Sequence, residues 1–400
     1  MARSTERGEE LLAALLAGVE RELAGAIELR HELHAHPELA HAERWTAATI
    51  AQALPVASAP AAGTGLIARI GPASGPAVAV RAELDGLPLR ELTGVAFAAP
   101  GETMHACGHD VHMAALVALA RAAHAIEGQL PAALAVVFQP SEEAYPSGAR
   151  ELAEGELAAL APAAVLAAHV HPELPWGEVA LDAGAVNASS DSVEIAIDGE
   201  PTHGAYPHRG RDPVLALAEV VVSLHAQVSR RIDPLHAVAV NVGVLEAGRI
   251  ENVVPARARA RASLRALEPA DREALRELVR SVVHGVAAAH GCRGGVELIE
   301  GEPALENDPA IVARTRELLP SAALSPTGQA WRSCGSDDFA FFGALAPLAM
   351  AFVGLHGAPG FSPRPLHHPE LLVPDAAVAA VARAQAALYV AAVTPSNQLV

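Results

Sequence analysis

The stretch LAVVFQPSEE, residues 134–143, joins an apolar run to a cluster of polar residues. Its first half, Leu134–Phe138, is short, apolar and rich in residues that favour strands, which predicts a buried strand. Similar runs alternate along the chain with segments of helical periodicity, which predicts an α/β sheet covered on both faces. The other predicted strands are Gly65–Ile70, Ala77–Ala82, Ala163–Ala168 and Leu348–Val353, and the predicted helices include Val111–Ile126 and Ala376–Val393.

Polar residues follow three of these strands. Glu83 and Asp85 come after one strand, Glu142 and Glu143 after a second, and His169 after a third. In open α/β folds the residues that carry out chemistry lie just past the carboxyl ends of the strands. These five residues therefore fall where an active site is expected.

The pattern changes between about residues 188 and 299. The stretch RARARASLR, residues 257–265, has a period of two, which predicts a strand with one buried face. Together with its flanking segments it gives the order β-α-β-β-α-β, the split βαβ or ferredoxin-like plan. We therefore expect residues 188–299 to form a domain inserted into a larger α/β domain made of residues 1–187 and 300–400.

The composition excludes several classes of function. With 46 acidic and 28 basic residues the formal net charge is −18, so we expect neither nucleic acid nor an anionic membrane surface as a partner. All 28 basic residues are arginine. A chain without lysine has no lysine to form a pyridoxal Schiff base or an aldolase-type imine, and it has no phosphate-binding loop that ends in Gly-Lys.

The cysteines and the beginning of the chain predict a cytoplasmic protein. Cys107, Cys292 and Cys334 are far apart and odd in number, which does not suit a disulfide framework and favours a reducing compartment. The first 30 residues lack the pattern of a secretory signal. We also expect that no apolar run is long enough to span a bilayer.

The densest group of chemically reactive side chains lies in MHACGHDVHM, residues 104–113. Cys107 and His109 cannot share a helical face, but a loop containing Gly108 can bring both to one point, with Asp110 placed to cap the following helix. Thiolate and imidazole suit borderline-soft divalent metals. The alternative is a buried cysteine beside solvated histidines.

Three other positions complete a possible ligand set. Adjacent side chains diverge, so Glu143 can bind a metal while Glu142 holds a water as general base, although two exposed glutamates are the ordinary alternative. His169 and His367 are each weak signals alone, since a single histidine is more often structural. Together, Cys107, His109, Glu143, His169 and His367 supply enough ligands for a two-metal site.

Nine motifs occur in order between about residue 27 and about residue 390: HELHAHPELAHAE, RAELDGLPL, MHACGHDVHMA, FQPSEE, AHVHPELPWG, THGAYPHRGRDP, GRIENVVP, GSDDFAFF and LHHPE. Together these motifs resemble the metallo-amidohydrolases that include aminoacylases, hippurate hydrolases and auxin-conjugate hydrolases.

The resemblance implies a metallopeptidase-like α/β catalytic domain with an inserted ferredoxin-like lid and dimerisation domain. It also implies cleavage of N-acyl amino acids to a carboxylic acid and an amino acid by a homodimer. Two divalent ions per subunit (zinc, manganese, cobalt or nickel) would be bound by the five ligands, with Cys107 bridging them.

The same resemblance assigns the remaining roles. Glu142 would be the general base, and His203 would stabilise the oxyanion, in the family from the neighbouring subunit. Asn252 and Arg265 would face the substrate carboxylate, and His208 is a further candidate for a cationic pocket.

Three departures from the family pattern concern the surroundings of the site. Many relatives have aspartate where this chain has Glu83, and a glutamate where it has Asp337. An apolar segment, residues 371–373, replaces an acidic one, and we expect it beside the pocket wall.

Two other functions stay open. One is a dipeptidase or aminopeptidase of the same fold, which would need a site for a free α-amino group. The other is a catalytically silent metal-binding protein, against which the presence of Glu142 argues, because such a protein needs no base.

Overall fold

The computed structural model describes residues 2–394, with side chains from residue 6 onward. The helices are α1 (Ala2–Ala35), α2 (Arg44–Ala53), α3 (His109–Ala125), α4 (Gly148–Glu154), α5 (Glu156–Leu160), α6 (Pro213–Arg231), α7 (Pro269–Ala289), α8 (Pro309–Leu318) and α9 (Ala376–Val393). The strands are β1 (Ala59–Ala61), β2 (Gly65–Ile70), β3 (Ala77–Glu83), β4 (Ala133–Gln139), β5 (Ala164–Pro175), β6 (Glu178–Ala180), β7 (Gly184–Asn187), β8 (Ser189–Asp198), β9 (Thr202–His203), β10 (Val238–Ala247), β11 (Val253–Val254), β12 (Arg257–Ala266), β13 (Arg293–Glu300), β14 (Leu305–Asn307), β15 (Ser325–Pro326) and β16 (Leu348–His356).

The chain divides into two compact units. The first unit extends to Gly184 and also includes Glu306–Trp331 and the chain from Phe341 onward. The second unit comprises Ala185–Leu305 and Arg332–Ala340. Our expected boundaries did not separate the short segment 332–340 from the larger domain, and no periodic signal in the sequence marks it.

The first unit is built on an eight-stranded sheet with the order β1-β2-β4-β3-β5-β16-β6-β15. Its central strands β4, β3, β5 and β16 are parallel to one another. Strand β3 is buried at every position, as expected for a strand covered on both faces. The carboxyl ends of these strands therefore meet at one edge.

Helices α1, α3 and α9 share the main hydrophobic core with one face of this sheet. Gly18 of α1 lies so close to α3 that a Cβ at this position would be 2.5 Å from the Cβ of Ala122. A larger residue would force the two helices apart. The position of α3, which begins at a predicted ligand, thus depends directly on α1.

Strand β5 is longer than the sequence predicts. It pairs in parallel with β16 beyond residue 168, with His169 opposite Phe352 and His171 opposite Gly354. Our prediction that the strand ends before His169 was wrong, because pairing with a residue 183 positions further along the chain extends it (352 − 169 = 183). His169 is therefore fixed within the sheet and does not belong to a loop.

The second unit contains a four-stranded antiparallel sheet with the order β10-β12-β8-β13. The chain order β8-α6-β10-β12-α7-β13 is the predicted split βαβ order. In β12 the arginines lie on the exposed face, and the alanines pack into the core with α6 and α7. The period of two in RARARASLR therefore reflects one exposed and one buried face of the strand, as predicted.

Within residues 2–394, α9 is the one helix long and apolar enough to cross a membrane by length and composition, with a mean hydropathy of 1.6 over 18 residues. Of that window, 78% is buried inside the structure. Our expectation that no run reaches this length was wrong for α9. The helix is apolar because it packs against α1, α3 and α8.

Candidate metal centre

A left-handed glycine brings Cys107 and His109 together. Gly108 has φ +84°, and a Cβ on this residue would be 2.6 Å from Val170 Cγ2. Glycine is the residue that satisfies both constraints without strain. His109 then begins α3, while the predicted cap by Asp110 is absent: its carboxylate is instead bound to Arg30 and His34.

The five predicted ligands lie in one cluster of the first unit. One ligand atom from each of Cys107, His109 and Glu143 lies within 4.8 Å of the others. Cys107 Sγ lies 3.5 Å from His169 Nε2, and His367 Nε2 lies 3.3 Å from Glu143 Oε1. The set contains the thiol, imidazole and carboxylate donors that borderline divalent metals prefer.

The tautomers of two histidines fit metal binding. His109 Nδ1–H donates to the Asp85 carbonyl at 2.8 Å, and His169 Nδ1–H donates to the Val170 carbonyl at 2.7 Å. Each Nε2 is left as the ligand atom. His109 Nε2 is buried and has no hydrogen-bond partner among the described residues, which is costly unless an ion binds there.

The protonation of these two rings differs. Burial and the neighbouring His112 hold the pKa of His169 well below its usual value, so this ring is neutral. Burial also lowers the pKa of His109, but the charges of Glu83, Glu143 and Asp85 raise it above its usual value. His109 therefore stays protonated to a higher pH than His169, and a metal that binds His109 must displace this proton.

His112 is close to the cluster but does not have a free ligand atom. Its Nδ1–H donates to Glu83 Oε2 at 2.9 Å, and its Nε2 accepts the Val170 N–H at 3.1 Å. Burial disfavours the charge of Glu83, but Arg81 and His112 hold its pKa well below the usual range. Glu83, which replaces the aspartate of many relatives, is thus linked through His112 to the Val170 N–H, next to His169.

Asp85 orients three parts of the site at once. Its carboxylate accepts the N–H groups of Glu142 at 3.1 Å and Glu143 at 2.9 Å, and its carbonyl accepts the bond from His109. Burial raises the pKa of Asp85 above its usual value. The sequence placed Asp85 after a strand but did not indicate that it holds the Glu142–Glu143 backbone.

Strained backbone surrounds the two glutamates. Ser141 has φ +52° and His41 has φ +65°, and the His41 N–H donates to Ser141 Oγ at 2.9 Å. The Ser141 N–H donates to the buried Glu43 at 2.8 Å. Left-handed residues other than glycine concentrate at functional sites. Glu142 follows directly, and its Oε2 lies 3.8 Å from His109 Nε2.

His367 is held by its backbone. It has φ +64°, and its N–H donates to the Ala106 carbonyl at 2.8 Å, next to Cys107. The following apolar segment reaches the same loop, since Val373 Cγ2 would lie 3.4 Å from a Cβ on Gly108, between Cys107 and His109. Leu371 and Val373 are buried, and Val373 belongs to the main core.

The predicted substrate residues all lie in the second unit. His203 and Asn252 are neighbours, because β9 pairs with β11 and the Gly204 N–H donates to the Asn252 carbonyl at 2.7 Å. His208 is exposed in a short 3₁₀ turn, residues 207–209. Arg265 Nη1 lies 3.1 Å from Ser336 Oγ and 3.3 Å from the Cys334 carbonyl.

Residues 79–390 match the family described as peptidase family M20/M25/M40. The chain belongs to this family. It is 32% identical over 376 residues to an N-acetyl-L-cysteine deacetylase of Bacillus subtilis, and this match covers 92% of the chain and 88% of the relative. It is 30% identical over 371 residues to an N-acetyldiaminopimelate deacetylase of Bacillus licheniformis, covering 90% of the chain and 96% of the relative.

A solved structure is also similar. A Bacillus subtilis protein described as a dinuclear metal-binding peptidase of the M20 family superimposes with a TM-score of 0.81 and 28% identity, covering 93% of this chain and 98% of that one. These findings confirm the predicted family, the α/β fold class and the hydrolysis of amide bonds. They also support binding of divalent metal by the cluster.

Proposed function

We propose that the protein is a metal-dependent amidohydrolase that releases a free amino acid from an N-acyl amino acid. The observation that carries this proposal is the convergence of Cys107, His109 and Glu143 beside the second glutamate, Glu142. Glu142 Oε2 lies 3.8 Å from His109 Nε2, where a general base would be needed, and a protein that only binds metal needs no base. The names of the relatives, deacetylases of N-acetylcysteine and N-acetyldiaminopimelate, support the substrate class.

The proposed ligands are Cys107, His109, Glu143, His169 and His367, which would hold two divalent ions per subunit. When bound, such ions lower the pKa of a water and polarise an amide carbonyl. Zinc, manganese, cobalt and nickel all suit this donor set.

The proposed reaction needs one proton carrier and one oxyanion donor. Glu142 accepts the proton of the attacking water and delivers it to the leaving nitrogen. His203 donates a hydrogen bond to the oxyanion. The C–N bond then breaks, and the products are a carboxylic acid and an amine.

We assign substrate recognition to the second unit, which the sequence predicts to comprise residues 188–299. Asn252, Arg265 and His208 are proposed to bind the substrate carboxylate. The charge supports this, because a chain with a net charge of −18 needs local cations to attract an anionic substrate.

The same proposal includes a cytoplasmic homodimer that associates through the inserted domain, with neither nucleic acid nor membrane as partner. Three free cysteines support a reducing compartment for the protein. Cys107 in particular must stay reduced to bind a metal.

The competing function is a dipeptidase or aminopeptidase, which the description of the similar structure as a peptidase favours. The test is a screen of metal-reconstituted protein against acetyl-, benzoyl-, indoleacetyl- and long-chain acyl-amino acids, with free dipeptides in parallel. We expect hydrolysis of acylated substrates that chelation abolishes. Faster hydrolysis of free dipeptides would favour the peptidase, and full activity of metal-free protein would exclude the metal mechanism.

A further inference from the structure

A fully buried guanidinium lies among the loops that carry the proposed ligands. Arg30 of α1 is 1% exposed. Its Nε donates to Asp110 Oδ2 at 2.7 Å, its Nη1 to Asp375 Oδ1 at 2.8 Å and its Nη2 to the Val373 carbonyl at 2.9 Å. All three nitrogens of the fork are therefore used, and each reaches a different residue.

The partners of Arg30 belong to two separate ligand-bearing segments. Asp110 follows His109 directly in the first turn of α3. Val373 and Asp375 follow His367 by six and eight residues and lead into α9. Since these segments are more than 250 residues apart in sequence (367 − 109 = 258), Arg30 acts as a cross-link between them.

Other contacts of α1 hold Arg30 and Asp110 in place. Helix α1 packs closely on α3, with Gly18 against Ala122, so the helix that carries Arg30 is held against the helix that carries Asp110. One turn further on, His34 donates to the same Asp110 oxygen at 2.8 Å and to Glu91 at 3.1 Å. The carboxylate of Asp110 is thereby held from two sides.

Stability alone does not explain this arrangement. A buried charge is costly to desolvate, and apolar side chains of similar volume often stabilise a core as well or better. A planar fork with three directed hydrogen bonds instead fixes positions, which packing does less specifically.

We propose that Arg30 is a positioning residue of the metal centre. Together with the His367 N–H bond to the Ala106 carbonyl, its guanidinium fixes the separation between the segment of Cys107 and His109 and the segment of His367. This inference rests on the proposed function, because it requires that these side chains bind divalent ions.

The test measures metal affinity in Arg30→Lys, which retains the positive charge and loses the fork. Cobalt(II) is titrated into metal-free protein against a chelator, and the thiolate-to-cobalt absorption band is recorded. Loss of a residue that orients metal ligands typically weakens metal binding by about 10–100-fold. We expect a loss in this range and an altered cobalt spectrum.

A second variant covers the case in which Arg30→Lys does not fold. Asp375 is 41% exposed and lies at the outer end of the network, so Asp375→Asn leaves the buried pair of Arg30 and Asp110 in place. We expect this variant to weaken cobalt binding by about 10-fold, at the low end of the same range.

The matched control is Tyr389→Phe in α9, which removes a partly buried hydrogen bond of 2.6 Å from the Tyr389 hydroxyl to the Ala132 carbonyl. It should lower the melting temperature of the metal-free protein without changing cobalt affinity or spectrum. Wild-type cobalt affinity and spectrum in folded Arg30→Lys, or in Asp375→Asn if the first does not fold, would overturn the proposal.

The two proposals fail in different ways. A wild-type protein that binds cobalt but hydrolyses no acylated amino acid would contradict the proposed function and leave the role of Arg30 intact. A wild-type protein that binds no divalent ion would overturn both.

Discussion

Two adjacent glutamates differ in what their side chains reach. Glu143 Oε1 lies 3.3 Å from His367 Nε2, and the carboxylate shares a cluster with Cys107 and His109. Burial raises the pKa of Glu143, but His367 and His109 lower it below its usual value, so this proposed ligand is ionised. Glu142 is 14% exposed, and its Oε2 lies 3.8 Å from His109 Nε2.

These differences predict opposite phenotypes for the same substitution. Glu142→Gln should keep its metal content and lose about 10²–10⁴-fold in kcat, the usual contribution of a general base. Glu143→Gln should lose metal, because an amide is a weaker ligand than a carboxylate. Metal analysis after gel filtration and initial rates at saturating metal measure the two effects.

Glu154→Gln is the control for both variants, since Glu154 is a 70% exposed glutamate paired with Arg150. It should match the wild type in metal content and rate. If Glu142→Gln lost metal and Glu143→Gln kept it, the roles of base and ligand would be reversed.

At the scale of elements, the contact between α1 and α3 contains a buried imidazolium. Both ring nitrogens of His34 face carboxylates, Asp110 and Glu91. Burial and the nearby Arg30 lower its pKa, but the charge of Asp110 and the hydrogen bonds to Asp110 and Glu91 raise it to about 9. His34 is therefore charged at pH 7.

The sign of the resulting pH dependence follows from linkage. A histidine with a pKa of 6.5 when unfolded and about 9 when folded stabilises the protein fully below pH 6.5. This contribution, roughly 3 kcal/mol, is lost as the pH rises through 9. We expect the free energy of unfolding of metal-free protein to fall between pH 7 and pH 10, as urea denaturation would measure.

The control variant is His34→Gln, whose side chain cannot carry a positive charge. This variant should be less stable than the wild type at pH 7, and its loss of stability between pH 7 and pH 10 should be smaller. Parallel pH profiles for the two proteins would mean that His34 is neutral in the folded state.

The sequence predicted elements where local pattern decides the outcome. Strand β2 has the predicted bounds, and the arginines of β12 face outward as its period of two requires. The convergence of Cys107 and His109 also followed from a local cause, the freedom of Gly108 to adopt a left-handed conformation.

Other features depend on residues far apart in the chain, and local pattern does not reveal them. The extension of β5 past His169 is caused by β16. The role of Asp85 depends on backbone N–H groups 57 and 58 residues away. Arg30 would be read as a surface residue of an amphipathic helix, because its partners lie 80 or more residues further on.

At the scale of the whole molecule, the proposed dimer predicts complementation. If His203 acts on the site of the neighbouring subunit, Glu142→Gln and His203→Ala are each nearly inactive alone. When equal amounts exchange freely, half of the dimers are mixed, and each mixed dimer has one intact site. About a quarter of wild-type activity should therefore return, as an assay after mixing would measure.

Subunit exchange must be verified by native mass spectrometry in the same samples. A mixture of Glu142→Gln with Glu142→Gln,His203→Ala is the negative control, since no site in it has a base. Complete exchange without recovered activity would exclude a shared site.

The position of β16 has a consequence for synthesis on the ribosome. This strand lies between β5 and β6, yet its residues 348–356 are made after both neighbours. Until then a nascent chain carries β5 as an unpaired apolar edge, the kind of surface that invites aggregation and chaperone binding. The proposed ligand His367 emerges later still, so all five proposed ligands cannot bind a metal together before residue 367 has left the ribosome.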